Sequence, residues 1–398
     1  MINRISSFHN YQSVQNDLRR QEAKVIHNQA QLASGKKLLK SSDDPLATHY
    51  VQSIGQQSEQ LRQYMDAIVL VRNRLEHHEV LVANSEAYAD EAKRTVMEMI
   101  NGSHSGQDRE AKVRELQELF NNLLNLTNSQ DESGNYIFAG TKPKSQPFFR
   151  DNSGNVTYAG DEYHRKMKIS NQLEMPINDP GNEVYMEIDN PFGDYSPNYE
   201  LQSASELLLE RATNTDYFDE SEYKITFVDM GTGGTFGYQL ERDGSVVAAQ
   251  EFDPKVGIKY EGLNIEIKGQ ITAGDSITLE PNKTISIFDS FRDVINLEKA
   301  SVSDASATGQ LHRLVEEFDA AFIHLGKART DVGARLDTLD IQEDLHEDFK
   351  LTLAKSKSAF EDLDYSQAVI EFNENSLALE ASQKAFGKVK DLTLFNYL

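Results

Sequence analysis

The residues with most capacity for chemistry in this 398-residue chain are ten histidines and 64 carboxylates. His77-His78-Glu79 and His346-Glu347 are where a zinc site would begin, since imidazole and carboxylate are ordinary zinc ligands. Neither run continues into the second histidine of a His-Glu-x-x-His helix. His78 falls on an apolar helical stripe, so an interhelical hydrogen bond is its expected role. Gly231-Thr232-Gly233-Gly234-Thr235-Phe236-Gly237 has the glycines of a phosphate cradle but not its Lys-Ser/Thr, and reads as a hairpin loop. Asp151-Asn152-Ser153-Gly154-Asn155 has the oxygen-rich look of a calcium loop and is expected to be a polar turn. Glu361-Asp362 and the other paired carboxylates read as solvated helix faces. With no cysteine there is no disulfide, thiolate metal site or cysteine nucleophile. The expectation is a protein without cofactor, metal or catalytic constellation: not an enzyme.

What remains are long patterned segments. Tyr11, Val14, Leu18, Val25 and Leu32 form a heptad seam with Gln21 and Asn28 at its polar steps, closed by Ser34-Gly35. Ser42-Asp43-Asp44-Pro45 reopens a helix with a capping side chain, acidic residues for the dipole and a first-turn proline. The clearest stripe follows. Leu61, Tyr64, Ile68, Val71, Leu75, His78, Val82, Ser85, Ala89, Ala92, Val96 and Met99 advance in steps of three and four, with only His78 and Ser85 strongly polar. Asn101-Gly102-Ser103 ends it, and Ser105 with Asp108 opens a helix carrying Val113, Leu116, Phe120 and Leu123.

Between 134 and 170, Tyr136-Ile137-Phe138, Phe148-Phe149 and Val156-Thr157-Tyr158 lie among Gly, Pro and Asn turns and predict short hairpins. From about 176 to 284 the period becomes two: Leu263, Ile265 and Ile267 alternate with polar residues, as do Ile277 and Leu279. Gly233-Gly234, Asp243-Gly244 and Gly274-Asp275 supply turns. Helix returns from about 288, with Leu311, Val315, Phe318, Phe322, Leu325, Val332, Leu336 and Leu339 in a heptad that Arg329 interrupts. Phe360, Leu363, Ile370 and Leu377 continue it toward Leu394-Phe395.

The predicted fold is mainly α with an inserted β domain, on long antiparallel coiled-coil-like helices from both termini. Its expected parts are 1–45 with 355–398, then 46–175 with 285–354, and the β insert 176–284. Residues 1–40 carry seven basic and two acidic residues, whereas 341–398 carry six and eleven, so the two ends are expected to pair. A 38% apolar content and a mean hydropathy of -0.57 suit an elongated molecule. A net charge of -24 argues against nucleic acid and anionic membrane as partners. The run Ala67–Val71 is far short of the about 20 residues of a membrane span, and the first 30 residues lack a signal-peptide core. Taken alone, that predicts a cytoplasmic protein unless it leaves by a route that reads no such signal.

Both ends resemble the flagellin superfamily. Leu32-Ala33-Ser34-Gly35-Lys36-Lys37 with Ser42-Asp43-Asp44-Pro45 is similar to its helix–turn–helix signature, and Asn101-Gly102-Ser103 with Asp108-Arg109 to its next helix junction. Gly134-Asn135-Tyr136-Ile137-Phe138-Ala139-Gly140-Thr141 and Pro147-Phe148 resemble the hairpin entry of hook-associated members. Val332-Gly333-Ala334-Arg335-Leu336 and the ending Leu394-Phe395-Asn396-Tyr397-Leu398 match as well. Likeness covers about 1–175 and 285–398. Asp43-Asp44-Pro45 and the C-terminus look more like hook-associated subunits than filament flagellin.

The resemblance implies a structural subunit exported through the flagellar type III apparatus, a route that allows for an export chaperone, and seated in the flagellum between hook and filament. Its implied partners are the first hook-associated protein, flagellin, and copies of itself in a ring. The implied assembly seam is Tyr11, Val14, Leu18, Val25, Leu32, Phe360, Leu363, Ile370, Leu377, Leu394 and Phe395, on terminal helices that are disordered in the monomer and order on assembly. A minor filament flagellin is the alternative; a type III needle-tip or phage-fibre protein is a more distant one.

Overall fold

The computed structural model describes residues 2–100, 106–203, 205–216, 218–230, 236–297 and 304–391. The chain divides into two compact units, 1–66 with 341–398, and 67–340. Three helices open it: α1 (Ile2–Ser34), α2 (Pro45–Ile100) and α3 (Gly106–Thr127). Two small hairpins follow, β1 (Phe148–Arg150) with β2 (Val156–Tyr158), and β3 (Lys166–Lys168) with β4 (Glu174–Pro176). A short α4 (Gly181–Tyr185) leads through β5 (Ile188–Asp189) into strands β6 (Tyr195–Glu200), β7 (Leu208–Asn214), β8 (Tyr223–Asp229), β9 (Phe236–Arg242), β10 (Ser245–Glu251), β11 (Ile258–Tyr260), β12 (Leu263–Lys268) and β13 (Ser276–Pro281). The chain returns through β14 (Thr284–Ile285) to α5 (Ile287–Leu297), α6 (Asp304–Glu361) and α7 (Tyr365–Asp391).

Helix α2 buries the stripe its spacing predicts. Ile68, Val71, Leu75, Val82, Ser85, Ala89, Ala92 and Val96 have no exposed surface, and His78 keeps 1%. In unit 67–340 that stripe meets α6 running the opposite way, as ion pairs Lys93–Asp319, Arg329–Glu86 and Arg72–Asp340 show in order. Arg329, the polar break in the α6 heptad, reaches Glu79 at 2.5 Å and Glu86 at 3.3 Å on α2. One apolar cluster joins Ile68, Val71 and Leu75 to Val332 and Leu339, and the β3–β4 hairpin closes it with Ile169, Met175 and Ile177. A second, aromatic cluster gathers Phe120 of α3, Phe138, Phe148 of β1, Tyr185 of α4, Phe288 and Phe291 of α5 and Phe318 of α6. Burying each such ring contributes about 1.5–3 kcal/mol.

The β region has its own core. Strands β10-β9-β8-β13-β6 form an antiparallel sheet and β11-β12-β7 a second. Period-two burial in β12 and β13 turns Leu263, Ile265, Ile267, Ile277 and Leu279 inward. The β9–β10 turn holds Asp243 and Gly244 at φ 49° and 76°, the doubly positive pair such a hairpin requires. This cluster spans Phe192 to Leu279, whereas Val184, Tyr185 and Ile188 belong to the aromatic helical cluster and Ile177 to the α2–α6 one. Between them lies a narrow neck: β5 pairs with β14, and Asn190 N donates to Lys283 O at 3.1 Å.

The expected strand at Tyr136-Ile137-Phe138 is instead a turn. Tyr136 makes a single antiparallel bridge with Gln130, through Ile137 N to Ser129 O and Asp131 N to Asn135 O, but the pairing goes no further: Tyr136 N donates to Pro143 O and Phe138 O accepts from Gly181 N. Ile137 and Phe138 are buried all the same. Gly233-Gly234, Asn101-Gly102-Ser103 and Ser105 lie outside the described residues.

Candidate assembly interface

Unit 1–66 with 341–398 is built on two helices from opposite ends of the chain. Tyr11 meets the Phe386 ring at 5.2 Å, Gln21 Nε2 donates to Asn375 Oδ1 at 3.2 Å, and Leu363 N donates to Gly35 O at 3.0 Å. Those contacts place α1 and α7 side by side and antiparallel. Charge takes a smaller part than the opposite balances of the two ends suggest. The ion pair seen here, Lys36 Nζ to Glu361 Oε1 at 2.5 Å, joins the turn after α1 to the end of α6, and Lys36 is half exposed. Exposed pairs of this kind contribute little, because water and salt screen them.

The turns that set this pairing follow from sequence. Gly35 adopts φ +69°, and a Cβ there would stand 2.9 Å from the Tyr365 hydroxyl. Asp43 Oδ2 accepts from Leu39 N and Lys40 N, which holds its carboxyl below the usual range. Asp44 is the cap of α2: its Oδ1 accepts from Leu46 N and Ala47 N, with Pro45 in the first turn. Asp364 caps α7 in the same way, accepting from Ser366 N and Gln367 N.

The seam residues divide. Val14, Leu18, Val25, Leu32 and Leu363 are half-buried, and Asn28 is buried. Tyr11 is 44% exposed despite its ring partner, and Phe360 is 40% exposed while stacking on Tyr50. Ile370 and Leu377 do not share the face that carries Asn375 and Phe386; they stand 53% and 68% exposed. The half-buried positions described on α7 are instead Phe372, Asn375, Ser376, Leu379, Ser382 and Phe386, and Ala368 is buried. A heptad count carried from α6 into α7 loses its phase at the break between Glu361 and Tyr365. The signal for that reset is Asp364 ahead of Tyr365-Ser366-Gln367, an N-cap. Leu394 and Phe395 lie outside the described residues.

The candidate chemical residues resolve into structural roles. His78 meets Asp179, which lies in the loop before α4 rather than on a facing helix; Nε2 stands 3.2 Å from Oδ2, off the angle of a straight hydrogen bond. Arg335 Nη2 reaches Asp179 Oδ1 at 2.8 Å. Burial opposes the Asp179 charge, but His78 and Arg335 outweigh it and hold the carboxyl well below the usual range. His346 stacks on Tyr64 at 5.8 Å. Asp151 accepts from Ser153 N and Asn155 N in the β1–β2 turn. Glu162, the twelfth residue counted from Asp151, lies beyond β2, so the loop does not fold back on itself as a calcium loop does. Among the described residues no group of three or more histidines and carboxylates is placed to hold a metal ion, and no helix is long and apolar enough to cross a membrane. Residues 231–235 of the glycine-rich run lie outside the described residues.

Long helices from both ends, paired to each other and interrupted by antiparallel β structure, define a flagellin-like fold. Residues 5–143 match the family of the bacterial flagellin N-terminal helical region. The chain is similar to flagellar hook-associated protein 3 of Escherichia coli (strain K12), 26% identical over 175 residues that make up 44% of this chain and 54% of the relative. It therefore spans about half the length of the curated relatives it matches. Flagellar hook-associated protein 3 from Legionella pneumophila shares its fold, with a TM-score of 0.67 at 24% identity over 77% of this chain and 97% of that one. FlgL of Xanthomonas campestris gives a TM-score of 0.63 at 23% identity, over 77% and 99%.

Proposed function

We propose that this chain is a structural subunit joining the flagellar hook to its filament, seated on the first hook-associated protein, carrying flagellin, and closed into a ring with copies of itself. Export through the flagellar type III apparatus, with a chaperone if one is required, belongs to the same reading. The observation that carries the proposal is the apolar surface left over after the terminal helices have paired. In unit 1–66 with 341–398, Leu46, Tyr50, Phe360, Ile370 and Leu377 are 75%, 54%, 40%, 53% and 68% exposed. Leu46 and Tyr50 stand on α2, Phe360 on α6, and Ile370 and Leu377 on α7, and such exposed apolar side chains are suited to burial between subunits, at about 25 cal/mol per Å² covered. In this reading 1–45 and 355–398, with Leu394 and Phe395, form the assembly domain, 46–175 with 285–354 the helical core, and 176–284 an accessory β insert.

Leu377→Asp tests the proposal. A carboxylate at that position remains hydrated in the free subunit but is stranded in an apolar interface, a cost of several kcal/mol. Cells relying on the variant should export it, build hooks and shed unpolymerised flagellin, while the purified variant melts as the wild type does. Full-length filaments on the variant would remove α7's outward face from the account.

A further inference from the structure

In unit 67–340 an open cavity of about 390 Å³ lies between two turns of α2, the Asp131–Ser133 turn and the loop around the β3–β4 hairpin. Its apolar walls are Leu70, Ile137 and Ile177, and two of its polar members are the guanidinium groups of Arg74 and Arg165. Among the described residues neither arginine forms an ion pair. Arg165 Nε is shut away from water without a hydrogen-bond partner. Burial, and then the Arg74 charge, depress its basicity against a smaller opposing pull from Asp131 and Asp161. Asp131 is not at bonding distance of either arginine; its carboxylate instead accepts from Ser133 N, Asn135 N and the Asn135 side chain.

A half-buried guanidinium beside a second one, in a molecule of net charge -24, is an unfavourable arrangement unless an anion completes it. We infer that the cavity is a binding site for a carboxylate on an apolar stem, and that its natural occupant is a glutamate side chain of a neighbouring protein. Paired guanidiniums match the planar, two-oxygen face of a carboxylate. Asp131 and Glu132 line the same space and offset part of its positive charge, which favours a singly charged carboxylate over a doubly charged phosphate. The volume, within the range of about 300–1,000 Å³ for ligand pockets, exceeds a carboxylate alone, and Leu70, Ile137 and Ile177 supply surface for methylenes. The inference is independent of the assembly reading: it uses no residue of the terminal helices.

The test is methyl NMR on the full chain labelled at isoleucine δ1, with Ile137 and Ile177 as reporters inside the cavity. Amide-capped glutamate, glutarate and inorganic phosphate are titrated in turn at constant ionic strength. The expected result is saturable movement of both methyls with capped glutamate, weakened at least tenfold by Arg165→Gln and by Arg74→Gln. Tighter binding of phosphate overturns the carboxylate assignment, and response to glutarate alone overturns the protein side chain as its source. No response to any probe, or an unchanged response in both variants, overturns the site. Arg165→Met guards against a purely structural role. Removal of an unpaired buried charge should leave Tm equal or higher, and a fall of several degrees would show that the arginine supports the fold instead.

Discussion

Asp179 illustrates how one carboxylate can hold distant segments together. It sits 7% exposed in the loop before α4, with His78 of α2 on one oxygen and Arg335 of α6 on the other. Removing one member of a buried charged set leaves the others uncompensated, at a cost of about 3–5 kcal/mol. Asp179→Ala should therefore lower the melting temperature clearly, whereas a surface change such as Glu59→Ala should not. The pH dependence has a definite sign. A carboxyl whose folded pKa is depressed contributes stability above its unfolded pKa, about 3.9, and that contribution drains as pH falls through the lower folded value. The gap between wild type and Asp179→Ala, measured by chemical denaturation, should be full at pH 7 and narrow steadily below about pH 4. A gap that is constant with pH would mean that packing, not charge, is what Asp179 supplies.

At the scale of elements, the helix-breaking turns decide which faces meet. Gly35 at φ +69° connects α1 to the chain that bridges to Glu361 and Leu363. Gly35→Ala should cost about 1 kcal/mol from backbone conformation. It should also raise hydrogen exchange along α1 and α7 without changing the amides of 67–340. The stripe on α2 was legible from sequence because twelve positions spaced by steps of three and four fall inside one unbroken helix, and a single phase serves all of them. The α7 face was not, because Asp362–Asp364 interrupts the helix and a seven-residue count has no meaning across the gap. Polar exceptions in the stripes marked real partners without naming them: His78 and Arg329 stood out, but Asp179, Glu79 and Glu86 are brought to them by tertiary folding alone. Within α2 itself, Leu75→Asp should destabilise the free subunit severely, since Leu75 has no exposed surface. Equal melting temperatures for Leu75→Asp and Leu377→Asp would contradict the division between core stripe and outward face.

For the whole molecule, the neck at Asn190–Lys283 marks where the β region can be removed. Cutting at 176 and 284 would strip Asp179, Tyr185 and Ile188 from the helical clusters, whereas joining Asn190 to Lys283 through a two-residue turn spares them. The shortened chain should keep its helical content and cooperative melting. It will expose the part of α6 where Ser306 and Gln310 bond to Leu201 and Asn198. Loss of cooperative melting would show that the β region is integral to the core. A junction subunit must accept one partner below and another above, so self-propagation is disfavoured. An epitope placed in the exposed Asp243-Gly244 turn allows the subunit's position in the flagellum to be read by immunogold electron microscopy of isolated flagella. The account predicts gold confined to a single band where hook meets filament; gold distributed along the filament would contradict it and make this chain a filament subunit.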